Sequence, residues 1–384
     1  HDTPFPGIFA LVPVLGTALI ILFATPNTAV GRLLSVRIFV GIGLISYSAY
    51  LWHQPLFAFA RLRSLAEPSH FLMGVLATCS LLLAWVTWRF VEQPFRKGPR
   101  PLLPTRRSVF VASGVAGAAL AAVGLAGHAG LATQYRYTTD ELALVETAAW
   151  SPMRARCHYG RYSDFAPEDS CVFYGDEPSI AVYGNSHGVE LAYGLAGHLR
   201  QSGQLVQQFT VSGCPASFGR NTDAYCDDFY QSRLDYLHGS ENIRHVLLTY
   251  RTDMNGPSAA RSVVELANAL DEAGKQVIVV LQAPTLPSDI SSYILDALHT
   301  KQADVSSKMR EVWKGQNQHM YAELATLNDN VDVVDLADAF CSDDRCFAVR
   351  GGEALFFDDH HMSNSGAALA ARLIASHLGD PAPK

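Results

Sequence analysis

The chain is expected to fold as an α-helical transmembrane bundle fragment followed by a three-layer α/β domain built on a parallel sheet. Three observations predict this. Long uncharged stretches fill the first 130 residues, short β-branched runs alternate with helical patterns beyond residue 179, and six of the seven cysteines lie in the second half. Overall the 384 residues are 49% hydrophobic and 17% charged, but that mean conceals two unlike halves, because nearly all the acidic residues lie beyond the uncharged stretches. The domain division follows as 1–130 for the membrane helices, 131–178 for a linker and extension, and 179–384 for the α/β domain. A net charge of −7 leaves no basic face for nucleic acid, and the arginines that cluster sit beside hydrophobic segments, where membrane orientation accounts for them.

The candidate spans are Gly7 to Ala24, Ile38 to Ala60, Phe71 to Trp88 and Ser108 to Gly127. Each approaches the roughly 20 residues that a helix needs to cross about 30 Å of hydrocarbon. Arg32 and Arg37 lie between the first two, and Arg89, Arg96, Lys97, Arg100, Arg106 and Arg107 between the last two. Arg61 and Arg63 oppose them on the intervening loop, but the larger group places its two loops in the cytoplasm. The fourth span then delivers the second half to the opposite side. Within the second span, His53 is an ionisable group at membrane depth; a bundle-fixing hydrogen bond near a helix break before Pro55 is favoured over catalysis. A span that begins almost at His1, with no initiator Met and no cleavable signal ahead of it, gives the expectation of a chain truncated at its N-terminus.

Cys157, Cys171, Cys214, Cys226, Cys341 and Cys346 form three sequence-close pairs, while Cys79 lies in a hydrophobic run. Several connectivities are open to six cysteines; short loops favour 157–171, 214–226 and 341–346, and such pairs belong to an oxidising compartment. None of the pairs has the C-x-x-C spacing of a zinc site.

In the second half, Ile180 to Tyr183, Leu205 to Val211, His245 to Tyr250, Gln276 to Leu281 and Val331 to Val334 read as strands. Gly188 to Gln201, Ala259 to Ala273, Val305 to Ala325 and Asn364 to His377 read as helices, and Thr139 to Trp150 as a helix in the extension. Such alternation implies a parallel sheet whose ligands sit at the carboxyl ends of the strands. The first strand runs through Tyr183-Gly184-Asn185-Ser186-His187-Gly188 into a helix. A serine at this turn presents its hydroxyl at the sheet edge, with helix N–H groups able to face an oxyanion; helix capping is the structural alternative. The last loop reads Phe357-Asp358-Asp359-His360-His361-Met362-Ser363. Asp358, three residues before His361, can hold the imidazole in the tautomer that accepts a serine proton, and Ser363 is the natural cap of the final helix. His360 is a competing base, expected to point away from His361. A metal site from Asp358, Asp359, His360 and His361 is the rival chemistry, although no second ligand cluster is evident.

Two resemblances rest on these segments. His1 to Gly16 (HDTPFPGIFALVPVLG), Ile45 to Leu56 (ISYSAYLWHQPL) and Arg89 to Phe95 (RFVEQPF) resemble the last helices of the acyltransferase-3 membrane family. That likeness implies that earlier helices, including those carrying the family's acyl-donor histidine motif, are missing. The serine turn and the Asp-x-x-His loop resemble the SGNH hydrolase family in its membrane-fused form, with Asn185 in place of that family's Asp and Met362 in place of its Leu. The resemblance implies an SGNH-like, flavodoxin-like fold with Ser186, Asp358 and His361 catalytic. It matches Gly213, in Ser212-Gly213-Cys214-Pro215, to an oxyanion donor beside the N–H of Ser186. The family's Gly-x-Asn block has no clear counterpart; Thr249-Tyr250-Arg251-Thr252-Asp253 occupies its place, with Arg251 as a side-chain donor. The implied function is an O-acyltransferase that moves an acyl group, typically acetyl, onto a cell-envelope glycan such as lipopolysaccharide O-antigen. Acyl-CoA is the implied ultimate donor, with no cofactor bound by this part. The implied partners are an exported or lipid-linked saccharide, the lipid bilayer and the missing N-terminal helices. The implied location is the bacterial inner membrane, multi-pass, with the C-terminal domain in the periplasm. A periplasmic O-acetyl esterase or deacetylase and a non-catalytic glycan-binding module are the alternatives.

Overall fold

The computed structural model describes residues 8–62, 64, 68–96, 103, 105–131, 137–160, 166–215, 224–253 and 256–378. The expectations for His1 to Gly7, Arg63, Lys97 and Arg100 lie outside the described residues. The chain divides into two compact units, His1–Arg61 with Glu67–Leu131, and Leu62–Ala66 with Ala132–Lys384.

The first unit is helical at all four predicted stretches, as Leu11–Phe23, Arg37–Leu62, His70–Val86 and Arg106–His128. Among the described residues, only His70–Phe95 and Arg106–His128 are long and apolar enough to cross a membrane. Ile8–Phe23 is apolar but shorter, and Arg37–Leu62 is diluted by Tyr47, Ser48, Tyr50, His53 and Gln54. Apolar side chains cover the outside of both qualifying helices, with Phe71 83% and Phe110 76% exposed. Contrary to expectation no break precedes Pro55, which lies inside its helix. The His53 ring nitrogen Nδ1 sits 2.8 Å from the Tyr50 carbonyl and 3.2 Å from that of Ala49, a bond to its own helix. Helices of this unit are linked by Trp52 Nε1–H donating to Thr87 Oγ1 at 2.9 Å and Ser48 Oγ–H to Glu92 at 3.3 Å.

The second unit is built on six strands: β1 (Val172–Phe173), β2 (Ile180–Asn185), β3 (Val206–Val211), β4 (His245–Thr249), β5 (Gln276–Leu281) and, after the short β6 (Val305–Met309) of another sheet, β7 (Asp332–Asp335). Their order is β1-β3-β2-β4-β5-β7, with β1 antiparallel and the rest parallel. The five parallel strands thus have the flavodoxin-like order, the sheet being extended from β2 in both directions. Alternation along β2 feeds two cores. Ile180 and Val182 pack with Leu191 and Leu195 of the helix Gly188–Leu199 and Ile374 of the helix Asn364–Ala375. Ala181 and Tyr183 face Leu234 and Leu237 of the helix Ala224–Gly239 and Val263 and Ala267 of the helix Gly256–Glu272. Strands buried on both faces read as continuous apolar runs, which is why these were visible in sequence.

A second, four-stranded sheet was not anticipated. It joins β6 to β8 (Cys341–Ser342), β9 (Arg345–Arg350) and β10 (Glu353–Ala354). The helix expected over Val305 to Ala325 is accordingly a strand up to Met309, followed by helices Arg310–Gln316 and Gln318–Glu323. Val305 and two serines have weak helix preference, and pairing with β9, whose hairpin is closed by the Cys341–Cys346 disulfide, prevails. The other expected pairs, Cys157–Cys171 and Cys214–Cys226, are also disulfides, and Cys79 is free.

Candidate active site

The site begins at the carboxyl end of β2, the strand where the sheet changes its direction of growth and where open α/β sheets place their ligands. Gly184 lies so close to β4 that a Cβ would collide with the Thr249 carbonyl. Asn185 follows, and its Oδ1 accepts the His187 N–H at 3.1 Å, fixing the turn with an amide oxygen where the resembling family has a carboxylate. The helix starts at Gly188 with His187 in the cap position and no side-chain capping bond. The Ser186 hydroxyl is therefore not a helix cap; its Oγ lies 2.8 Å from His361 Nε2.

His361 reaches that position through a closed loop. The Phe357 N–H donates to the His361 carbonyl at 3.1 Å, and Phe356 pairs with Met362 as an antiparallel bridge. Ser363 caps the final helix as expected, its Oγ accepting the Gly366 N–H at 3.1 Å while donating to the Ala354 carbonyl at 2.6 Å. Asp358 Oδ2 is 2.7 Å from His361 Nδ1, and Oδ1 accepts the N–H groups of His360 and His361 at 2.9 and 2.6 Å. Burial pushes the Asp358 carboxyl up, but the His361 ring and these two N–H groups outweigh it and hold it well below the usual carboxylate range. An ionised Asp358 keeps the proton on His361 Nδ1 and turns the Nε2 lone pair toward Ser186.

The two other candidate donors flank the serine. Asn185 and Val211 are partners across β2 and β3, so Ser186 and Gly213 emerge from adjacent strand ends, with Gly213 at a φ of +71° that favours glycine. Arg251 leaves the neighbouring β4 on the other side, where its Nε donates to Asp253 at 2.9 Å.

Several contributors escaped sequence reading. The Phe357 ring stacks on His361 with planes 2° apart, Trp150 meets Phe357 edge-on, and the Arg154 guanidinium covers the Phe357 ring at 5.0 Å from its centroid. Arg154 is held by both oxygens of Glu190, at 2.7 and 2.6 Å, and Glu190 is only 1% exposed. The Asn364 side-chain amide donates to the Trp150 carbonyl at 2.9 Å. From the same extension, His158 places Nε2 2.7 Å from Ser212 Oγ and Nδ1 3.0 Å from Thr210 Oγ1. Burial, aided by the charges of Arg154 and His361, lowers His158 to about 4, so it is neutral at pH 7. No spacing in the sequence signalled these contacts; only the Cys157–Cys171 loop hinted that the extension is tied down.

His360 contradicts its expectation. Its ring lies 4.1 Å from that of His361, centroid to centroid, rather than pointing away, because a tight loop does not alternate its side chains as a strand does. His187 packs beside both, and one ring nitrogen from each of the three lies within 4.8 Å of the others. Ligand atoms of Asp358, Asp359 and His360 are equally close to one another. The two groups share His360, and the residue after the serine thus adds a further imidazole that the sequence did not reveal.

A three-layer α/β fold with Ser, His and Asp meeting at strand ends is the constellation of an acyl-transferring or esterase enzyme. The family described as an SGNH domain fused to AT3 domains matches residues 156–376, over half of the chain, and the chain belongs to that family. Among curated relatives, YrhL of Bacillus subtilis (strain 168), named "Putative peptidoglycan O-acetyltransferase", is 30% identical over 95 residues, which is 24% of this chain and 15% of the relative. SACOL0978 of Staphylococcus aureus (strain COL), named "Putative O-acetyltransferase", is 29% identical over 101 residues, 24% of this chain and 16% of the relative. These matches span less than a fifth of either relative's length. The periplasmic domain of a lipopolysaccharide acetyltransferase from Salmonella ser. Paratyphi A is similar with a TM-score of 0.49 and 15% identity, over 64% of this chain and 99% of that one.

Proposed function

We infer that the second unit is an O-acyltransferase in which Ser186 is the nucleophile, His361 the general base and Asp358 its orienting carboxylate. The observation that carries this is the continuous line Asp358 Oδ2, His361 Nδ1, His361 Nε2, Ser186 Oγ, with hydrogen bonds of 2.7 and 2.8 Å. As Ser186 attacks an acyl carbonyl, its proton passes to His361 Nε2, and the N–H groups of Ser186 and Gly213 face the oxyanion, with Arg251 adding charge. The leaving group takes the proton from His361, giving an acyl ester on Ser186. An acceptor hydroxyl, deprotonated in turn by His361, then takes the acyl group and restores the serine.

Membership of a family fused to AT3 domains, together with curated relatives named as O-acetyltransferases, supports acetyl as the group moved and a cell-envelope saccharide, exported or lipid-linked, as its acceptor. Acyl-CoA would be the ultimate donor, its acyl group passed across the bilayer by membrane helices that include those of the first unit. Three disulfides and two membrane-length apolar helices support a bilayer-anchored chain with this domain on the periplasmic side. The test is mass spectrometry of envelope polysaccharide from cells carrying the chain or its Ser186→Ala variant. Acetylation lost in the variant supports transfer, and acetylation unchanged refutes it. An increase in acetylation on inactivation identifies a deacetylase instead.

A further inference from the structure

His187 has no part in the acyl transfer, yet it is 6% exposed and its Nε2 has no hydrogen-bond partner among the described residues. Leaving a buried polar nitrogen unpaired is costly, and native structures rarely do so without a reason. Its neighbours suggest the reason. The His187 ring centroid is 4.8 Å from that of His361 and 5.5 Å from that of His360. Asp358 holds His361 Nδ1 at 2.7 Å, and Asp359 holds His360 Nδ1 at 2.6 Å. A neutral imidazole that donates Nδ1–H to a carboxylate carries its lone pair on Nε2, and this carboxylate–histidine pairing is how metal-ligating histidines are oriented. The same two carboxylates set a negative field that draws a dication.

We propose that His187, His360 and His361 form a three-histidine site for a divalent cation of the zinc class, and that its occupation silences the serine. Zinc binds imidazole at about 2.1 Å, so tetrahedral ligand nitrogens sit roughly 3.4 Å apart. Nitrogens within 4.8 Å of one another reach that spacing by turning the three rings inward. With Nδ1 of His361 held by Asp358, the cation takes Nε2, the lone pair that otherwise receives the Ser186 proton. Cation binding and general-base action at His361 are then mutually exclusive. A fourth position remains for water, as in open histidine sites. The silencing rests on the acyl-transfer reading, whereas the binding does not.

The test titrates the purified full chain with zinc, using cobalt as a spectroscopic stand-in, and follows hydrolysis of an aryl acetate in parallel. The wild-type chain and Ser186→Ala are expected to bind one ion per chain. His360→Ala and His187→Asn should bind at least about tenfold more weakly, and Asp359→Asn, which loses only the orienting carboxylate, by about tenfold. Zinc should abolish wild-type hydrolysis, and a chelator should restore it. Asp359→Asn, whose carboxylate takes no part in acyl transfer, should hydrolyse at a rate within a few-fold of wild type and need about tenfold more zinc to be silenced. Binding undiminished in both His360→Ala and His187→Asn overturns the site. Binding through these residues with hydrolysis unaffected overturns the silencing. A chain that binds zinc as described yet hydrolyses no ester at any zinc concentration supports the site and refutes the acyl-transfer reading.

Discussion

His361 Nε2 lies 2.8 Å from Ser186 Oγ across 175 positions of chain. The serine is delivered by the end of β2 and the imidazole by a loop pinned between the Phe356–Met362 bridge and the Ser363 helix cap. Both ends of this contact are held by hydrogen bonds within the fold.

Asp358→Asn removes the charge that keeps the proton on His361 Nδ1. An asparagine can present its NH₂ to that nitrogen and move the proton to Nε2, the wrong side for accepting from serine. Steady-state hydrolysis of an aryl acetate should show kcat reduced about a thousand- to ten-thousand-fold with KM within a few-fold of wild type.

Arg154→Met leaves the Glu190 carboxylate buried without its guanidinium. Breaking a buried pair from one side costs roughly 3–5 kcal/mol, whereas replacing both partners with apolar groups is often neutral. Urea unfolding should find the single variant strongly destabilised and Arg154→Met/Glu190→Met close to wild type. The single variant should also lose turnover, because Arg154 covers the ring on which His361 stacks.

Stability should fall as acidity rises through the range where His158 resists protonation. Its folded value is about 4 against an ordinary 6.5. Between those values the unfolded chain binds a proton that the folded chain does not, so this contribution is complete above 6.5 and is lost on going down to 4, by at most roughly 3 kcal/mol. His158→Gln keeps a partner for Ser212 and removes the titration. Urea midpoints measured at pH 7 and pH 4.5 should differ less in the variant than in wild type.

The Cys157–Cys171 disulfide closes a loop with a sequence separation of 14 and anchors the extension that carries Trp150, Arg154 and His158. Replacing both cysteines by alanine should lower unfolding stability by about 3 kcal/mol, and reducing agent should destabilise the wild type but have a smaller effect on the variant.

The parts of the fold that were legible in sequence are those governed by local pattern. β2, β4 and β5 were legible because each is buried along most of its length on both faces and so reads as an apolar run between polar turns, while β3 and β7 were legible from their β-branched residues. Ser186, Asp358 and His361 stood out because their placement depends only on a strand end, a turn and a capped helix. The second sheet was hidden, since β8 and β10 have two residues each and β9 mixes arginines with apolar residues. The contacts of Arg154, His158 and His187 form between segments far apart in sequence, where no periodicity leads. His360 lies against His361 because the side chains of a closed loop do not alternate as they do along a strand. The second predicted span fell short for a compositional reason, its tyrosines, His53 and Gln54 lowering the hydropathy of an otherwise long helix.

Activation of Ser186 by His361 is read from the site of attachment of a serine-directed aryl phosphonate, located by peptide mass spectrometry of the full chain. One adduct is expected, on the peptide bearing Ser186, with labelling slowed at least about a hundredfold by His361→Ala. Attachment at Ser212 instead, or labelling of Ser186 at an unchanged rate in His361→Ala, would contradict it.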